Sequence, residues 1–225
     1  MPAIDEPVIL LPVKGLGTSK TRLSPILSVG ERAKLTLLLL WDVLECFEKY
    51  RNRFVVTSDG EVAAFARDHG SGVIESYFGD LNSDLAFARS RCTKEGGASV
   101  LYLLPDLPTL TRMDVDAMVG LEGKHPSTVV APSKDGGTNA LLLKPCDLIE
   151  PLFGTKSLER HLSRLRAVGV EPEIYSSMGT SFDLDTETDL MRLIELAQST
   201  EKGRAVSYLL SLDLDGLKKK SNRFN

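Results

Sequence analysis

The sequence predicts an α/β fold built on a largely parallel sheet, and three observations carry that expectation. Short apolar runs recur in VILLPV (Val8 to Val13), in RFVVTSDG (Arg53 to Gly60), a strand entering a turn, and in SVLYLLPDLP (Ser99 to Pro108), a strand ended by Pro105, with segments of helical pattern between them, the alternation expected of βαβ units. STVVAP (Ser127 to Pro132) and TNALLLKP (Thr138 to Pro145) are separated only by SKDGG, too short for a helical crossover, so one strand there runs antiparallel. The length of 225 residues, 42% of them hydrophobic, suits one well-buried domain and is short for two.

Each element has its own signal. Ser28 to Tyr50 reads as a long helix, with Ser28 at its cap and Glu31 three residues on as capping-box partner. Gly60 to His69 and Leu81 to Lys94 read as helices, with SGVIES (Ser71 to Ser76) as a short strand between them. Thr111 to Leu121 is a helix capped by Thr111 with Asp114 in the partner position, and Ser157 to Val168 is another. Ser181 to Leu184 reads as a short strand feeding a helix from Thr186 to Gln198. From Glu201 the character changes to an apolar patch (Val206 to Leu214) followed by Lys218, Lys219 and Lys220. That tail reads as a helix with a solvated basic end, or as a subunit contact.

Composition excludes several classes. The net charge of −4 leaves no basic excess for general nucleic-acid binding. The longest apolar runs, VILLPV and LLLLW (Leu37 to Trp41), fall far short of the roughly 20 residues that cross a bilayer. MPAIDEP lacks the basic start of a secretion signal, so a cytoplasmic protein is expected. Cys46, Cys92 and Cys146 form no CxxC pair or Cys/His cluster and are expected to pack as reduced thiols.

In sheets of this kind ligands bind beyond the carboxyl ends of the strands, so the loops there are the expected seat of any chemistry. LPVKGLGTSKTRL (Leu11 to Leu23) leaves the first strand with Gly15, Gly17, Lys14, Lys20 and Arg22. Glycines let backbone amides approach a phosphate and the cations offset its charge. The loop matches neither the dinucleotide GxGxxG pattern, which needs glycine at Lys20, nor the P-loop, which needs glycine at Lys14 and Ser19. Asp106 follows the strongest apolar strand and reads either as a Mg²⁺ ligand or as a turn aspartate. The Gly136-Gly137 pair before Thr138 and Asn139 reads as a grip on an anion or as a plain hairpin turn. Gly154, Lys156 and Ser157 open a helix whose N-terminus suits an anion, although Ser157 also reads as a simple cap. His161 reads as a surface or satisfied histidine. Asp183 and Asp185, two apart, point the same way on a strand, and one of them could complete a metal site with Asp106. No Ser-His-Asp or Cys-His order suggests covalent catalysis.

Taken together, VKGLGTSKTRLSP, DLPTL, DGGTNALLL, FGTKSLERH and DLDTETDL occur in an order that resembles the 2-phospho-L-lactate guanylyltransferase family of coenzyme F-420 biosynthesis. That family is itself similar to molybdopterin guanylyltransferases and sugar-phosphate nucleotidyltransferases. Against the broader superfamily's GxGTR-type loop, this chain has GLGTSKTR, with the basic residues displaced. The resemblance runs from the first strand to the helix after Asp185 and leaves out the tail. It implies a three-layer α/β/α, Rossmann-like, mostly parallel mixed sheet of the nucleotide-diphospho-sugar transferase-like kind. Residues 1–200 would form the nucleotidyltransferase domain and 201–225 a tail. It implies GTP and 2-phospho-L-lactate as substrates, Mg²⁺ as cofactor and a homodimer. Lys14, Gly15, Gly17, Lys20, Arg22, Ser58 and Asn82 would lie on the nucleotide side. Thr138, Gly154 and Ser157 would hold the acceptor, Lys20, Asp106 and Asp183 would be catalytic, and Asp106 with Asp183 or Asp185 would hold the metal. Phosphoenolpyruvate, 3-phosphoglycerate, a sugar phosphate or molybdopterin are alternative acceptors, and a non-catalytic nucleotide-binding protein is the alternative of another class.

Overall fold

The computed structural model describes residues 6–94, 99–121, 127–197 and 203–212. Its strands are β1 (Val8–Pro12), β2 (Arg53–Thr57), β3 (Gly72–Glu75), β4 (Val100–Leu103), β5 (Ser127–Pro132), β6 (Thr138–Lys144) and β7 (Glu173–Ile174). Its helices are α1 (Val29–Cys46), α2 (Gly60–Asp68), α3 (Leu81–Lys94), α4 (Arg112–Gly120), α5 (Ser157–Ala167), α6 (Met178–Ser181), α7 (Glu187–Leu196) and α8 (Arg204–Ser211). The strands form one sheet in the order β3-β2-β1-β4-β6-β5-β7. β1 lies parallel to β2 and β4, and β6 alone is reversed, antiparallel to both β4 and β5.

Alternation along the strands sends side chains to both faces. Ile9 and Leu11 join one core with Val43, Val62 and Val115, whereas Val8 and Leu10 join another with Leu85, Ala88 and Leu165. Helices α1, α2 and α4 therefore cover one face and α3 and α5 the other, giving the three layers expected. A third core joins α1, α7 and α8 through Leu35, Leu39, Leu190, Leu193, Ala205 and Leu209.

The capping signals are realised. Ser28 and Glu31, Thr111 and Asp114, and Thr186 and Asp189 all form reciprocal capping boxes. Ser157 is not a cap: the cap position of α5 is Lys156, in the left-handed region at φ 53°. The strand expected over Ser181 to Leu184 is also absent. Ser177 caps the short helix α6 instead, and the chain then runs extended with its polar groups joined to loops: Lys134 N donates to Ser181 O at 3.3 Å, and Leu184 N to Asp106 O at 3.0 Å. Alternation survives without a ladder, because Phe182 and Leu184 enter the third core. β7, a two-residue edge strand after Pro172, had no sequence signal long enough to find it.

The apolar start of the tail packs within the chain. Gly203 offers α8 no side-chain cap, and Asp42 of α1 accepts from Arg204 N and Ala205 N at 3.0 and 2.9 Å in its place. A Cβ at Gly203 would come within 2.6 Å of that carboxylate. The Arg204 guanidinium covers the Trp41 ring at 4.0 Å. Ala205, Val206 and Leu209 are buried, so the described part of the patch that suggested a subunit contact, up to Leu212, packs with α1 and α7, while the rest of it and Lys218, Lys219 and Lys220 lie outside the described residues. Cys46 and Cys146 are free and buried, and burial pushes the Cys46 thiol up to about 11. The Cys92 side chain lies outside the described residues.

Candidate active site

Chain connections reverse direction between β1 and β4, and the carboxyl ends of such neighbouring strands open a crevice. The loop after β1 enters it. Leu16–Thr18 and Thr21–Leu23 are single 3-10 turns, with Lys20 between them in the left-handed region at φ 50°. That conformation is uncommon for a residue with a Cβ, and the surroundings hold it there. The buried Arg32 of α1 donates to Ser19 O at 3.3 Å and Leu27 O at 2.9 Å. Ser19 Oγ donates to Leu16 O, and the Thr36 hydroxyl lies 2.9 Å from Ser19 Oγ. From the other side Asp59, the cap of α2, accepts from Leu16 N at 2.9 Å.

Held in this way, Lys20 reaches across the crevice. Its Nζ lies 3.0 Å from Asp106 Oδ2 and 3.0 Å from Asp185 Oδ1. Burial disfavours its charge, but the Asp106 and Asp185 carboxylates override that and hold the ammonium above the usual lysine range. Arg22, mostly exposed, stands 3.8 Å from the other oxygen of Asp185. Asp183 is buried, and that burial, with Asp106 and Asp185 adding to it, raises its carboxyl pKa against the pull of Lys134.

Lys134, in the turn between β5 and β6, is a site residue that sequence reasoning missed. Its Nζ donates to Asp183 O at 2.9 Å, stands 3.7 Å from Asp183 Oδ1 and pairs with Asp189. Asp189 thus joins two tasks, accepting from Thr186 at the start of α7 and fixing Lys134. Two carboxylate oxygens remain without any hydrogen-bond partner although buried: Asp106 Oδ1 and Asp183 Oδ1. Unpartnered buried carboxylate oxygens are costly, and a hard cation that takes oxygen ligands suits them. Among the described residues no cage of three or more metal-ligating side chains is assembled, so a cation here would take its remaining ligands from water and substrate, the habit of Mg²⁺.

The expected acceptor residues converge from two other segments. The β5–β6 turn and the start of α5 are joined by Leu158 N donating to Gly136 O at 3.3 Å. Thr138 and Ser157 are both buried there, and Gly154 adopts φ 110°, a conformation open to glycine. Asn82, expected on the nucleotide side, has its amide engaged with the backbone of Phe153: Phe153 N donates to Oδ1 at 2.7 Å and Nδ2 donates to Phe153 O at 3.0 Å. Lys14, Gly17 and Ser58 are exposed at the ends of β1 and β2, and Gly15 is half-buried against Asp59. His161 is satisfied but not superficial; it is fully buried, between Thr138 and Leu152.

A pairing of Lys20 with Asp106 across 86 residues is the arrangement on which a nucleotidyl-transfer reading depends. A family model described as "Guanylyl transferase CofC like" matches residues 7–225. The chain belongs to this CofC-like family. The match includes the tail that the sequence resemblance left out. A phosphoenolpyruvate guanylyltransferase of Sphaerobacter thermophilus is 33% identical over 189 residues, covering 83% of this chain and 91% of that one. A 2-phospho-L-lactate guanylyltransferase of Methanothermobacter thermautotrophicus is 31% identical over 193 residues, covering 85% of each chain. The fold agrees with a provisionally named nucleotide-diphospho-sugar transferase of Desulfovibrio desulfuricans G20, with TM-score 0.79 at 17% identity over 94% of this chain and 96% of that one. CofC-like membership makes the chain a nucleotidyltransferase. No helix among the described residues is long and apolar enough to cross a membrane.

Proposed function

We propose that this protein transfers GMP from GTP to the phosphate of 2-phospho-L-lactate and releases pyrophosphate. The observation that carries the reading is the ammonium of Lys20 set between Asp106 and Asp185, beside buried oxygens of Asp106 and Asp183 that accept no hydrogen bond. An acceptor phosphate has a second pKa near ~6 and is ionised at neutral pH. One of its oxygens attacks the α-phosphorus of GTP in line, the new P–O bond forms, and the bond to pyrophosphate breaks. No general base is needed. The task is to bring two polyanions together and hold them aligned.

Roles follow from placement. Lys14, Lys20 and Arg22, with the amides around Gly15 and Gly17, would face the GTP phosphates, and Ser58 would lie on the nucleotide side. Thr138, Gly154 and Ser157 would hold the acceptor, and Asn82 would act by bracing the Phe153 backbone just before Gly154. Asp106 and Asp183 fit Mg²⁺, which when bound would neutralise phosphate charge; Asp185 is taken up by Lys20 and Arg22. Lys134 supports the reading by fixing the backbone and carboxylate of Asp183.

A second acceptor, phosphoenolpyruvate, is favoured by the name of the Sphaerobacter relative at 33% identity. It differs from phospholactate by one unsaturation and would use the same phosphate chemistry. The homodimer belongs to this reading on the family resemblance.

Pyrophosphate release from GTP and Mg²⁺ with each acceptor tests the proposal. Release with phospholactate is expected, and release with phosphoenolpyruvate alone would move the acceptor to the second reading. Asp106→Ala should lower turnover by more than about 100-fold while the protein stays folded, since even partners of metal-ligating groups are worth roughly 10–100-fold. Near-normal release by that variant would remove Asp106 from the machinery. Stable GTP binding with no turnover on any acceptor would identify a nucleotide-binding protein instead.

A further inference from the structure

We infer that His161 is a positioning residue for the acceptor: it carries its proton on Nδ1, gives that hydrogen to Thr138, and so reserves the Thr138 hydroxyl proton for an oxyanion of the bound phospho-acid. The inference rests on the acceptor reading above and adds a residue that composition and motif left without a task.

The argument is one of donors and acceptors. His161 has no solvent exposure. Leu152 N lies 2.9 Å from His161 Nε2. A backbone N–H can only donate, so Nε2 must be the unprotonated nitrogen. An imidazolium would set a second N–H against that of Leu152, and the neutral ring therefore holds its hydrogen on Nδ1. Nδ1 lies 3.0 Å from Thr138 Oγ1, so the hydroxyl oxygen accepts. Among the described residues Thr138 Oγ1 has no other hydrogen-bond partner, which leaves its own proton to give. Burial, with Arg160 adding to it, lowers the imidazole pKa to about 4 and keeps the ring in this form at neutral pH.

Position supports the chemistry. Thr138 begins β6, two residues after Gly136, whose carbonyl receives Leu158 N of α5. Leu152, held by the imidazole, and Phe153, held at N and O by Asn82, lead directly into Gly154. The Phe153 ring meets the imidazole edge-on at 5.1 Å and limits its rotation. One buried ring thereby sets both the hydroxyl of Thr138 and the entry to the loop that carries Gly154 and Ser157.

The test combines a spectrum and a thermodynamic cycle. Ring-nitrogen NMR of the whole wild-type protein should show His161 as the neutral Nδ1–H tautomer, unchanged from pH 8 to pH 5.5. An Nε2–H tautomer, or an imidazolium near neutral pH, overturns the inference without recourse to any variant. In steady-state pyrophosphate release, Thr138→Val and His161→Phe should each lower kcat/KM for the acceptor by about 10–100-fold, the worth of a hydrogen bond to a charged group. The KM for GTP should stay within about twofold, and Thr138→Ser should retain activity. The double variant should be no weaker than Thr138→Val alone, because the histidine acts through the threonine. Additive losses, or an equal loss in GTP affinity, would make His161 a packing residue and end the proposal. If the wild type turns over neither phospholactate nor phosphoenolpyruvate while the tautomer is as stated, the acceptor reading has failed and this inference falls with it.

Discussion

Lys20 shows how much one side chain can carry. It sits at positive φ, is nearly enclosed, and meets carboxylates 86 and 165 residues away. Removing one partner of a buried pair leaves uncompensated charge, which costs about 3–5 kcal/mol in a fully buried setting. Asp106 and Asp185 retain 23% and 39% side-chain exposure, so Lys20→Met should cost less, roughly 2 kcal/mol by urea unfolding. The same variant should lose pyrophosphate release by more than about 100-fold, an effect of alignment as well as charge; unchanged kinetics would show that Lys20 merely fills space. His161 makes a second prediction, with a defined sign. Its folded pKa of about 4 lies below the ordinary 6.5. The unfolded chain therefore binds the extra proton first, and stability present above pH 6.5 is lost as pH falls toward 4. The loss should approach about 3 kcal/mol, and His161→Phe should flatten that part of the stability profile. Residue-level reading of the sequence reached Lys20 and Asp106 because each follows a strand, and Asp183 and Asp185 because two acids lie two residues apart just before a capped helix, although the strand expected to carry them does not form. It passed over Lys134, one of 27 cations, because nothing local marks it; its partners lie 49 and 55 residues on.

At the level of elements, local signals and tertiary demands agree where the element is long. The three capping boxes were legible because both partners fall within one turn. The segment from Ser177 to Asp185 was not, because its backbone pairs with loops rather than with a strand, and Ser177 turns its start into α6. Helix α8 is the clearest case of an element made by its neighbour. It has no side-chain cap of its own and takes Asp42 of α1 in its place. Its apolar side is anchored by Leu209, which is fully buried. Leu209→Ala should destabilise the protein by about 2–4 kcal/mol, the usual cost of a buried leucine cavity, measured by urea midpoint. A change below about 0.5 kcal/mol would mean that α8 does not dock as the third core requires.

On the scale of the whole molecule, strand order reverses between β1 and β4, and the loop after β1, the exit of β4, the β5–β6 turn and the segment before α7 meet there through Lys20, Asp106, Lys134, Asp183 and Asp185. A ligand that binds only the folded state adds stability by mass action, about 2.7 kcal/mol at a hundredfold excess over Kd. For a chain of this size GTP with Mg²⁺ should raise Tm by about 5–10 °C. CTP and ATP should raise it less, and an equal rise with all three would deny guanine selectivity. By itself the sequence determined the alternation of strands and helices, the single reversed strand, the caps, and the strand exits where glycines, cations and acids gather. All of these depend on neighbours within a few residues, through periodicity, turn geometry and capping. Only the tertiary structure decided that Lys20 meets Asp106 and Asp185, that Lys134 meets Asp183, that Asn82 braces Phe153, and that α8 closes onto α1. Those pairings depend on strand order and layer packing, which bring together atoms that no local interaction connects.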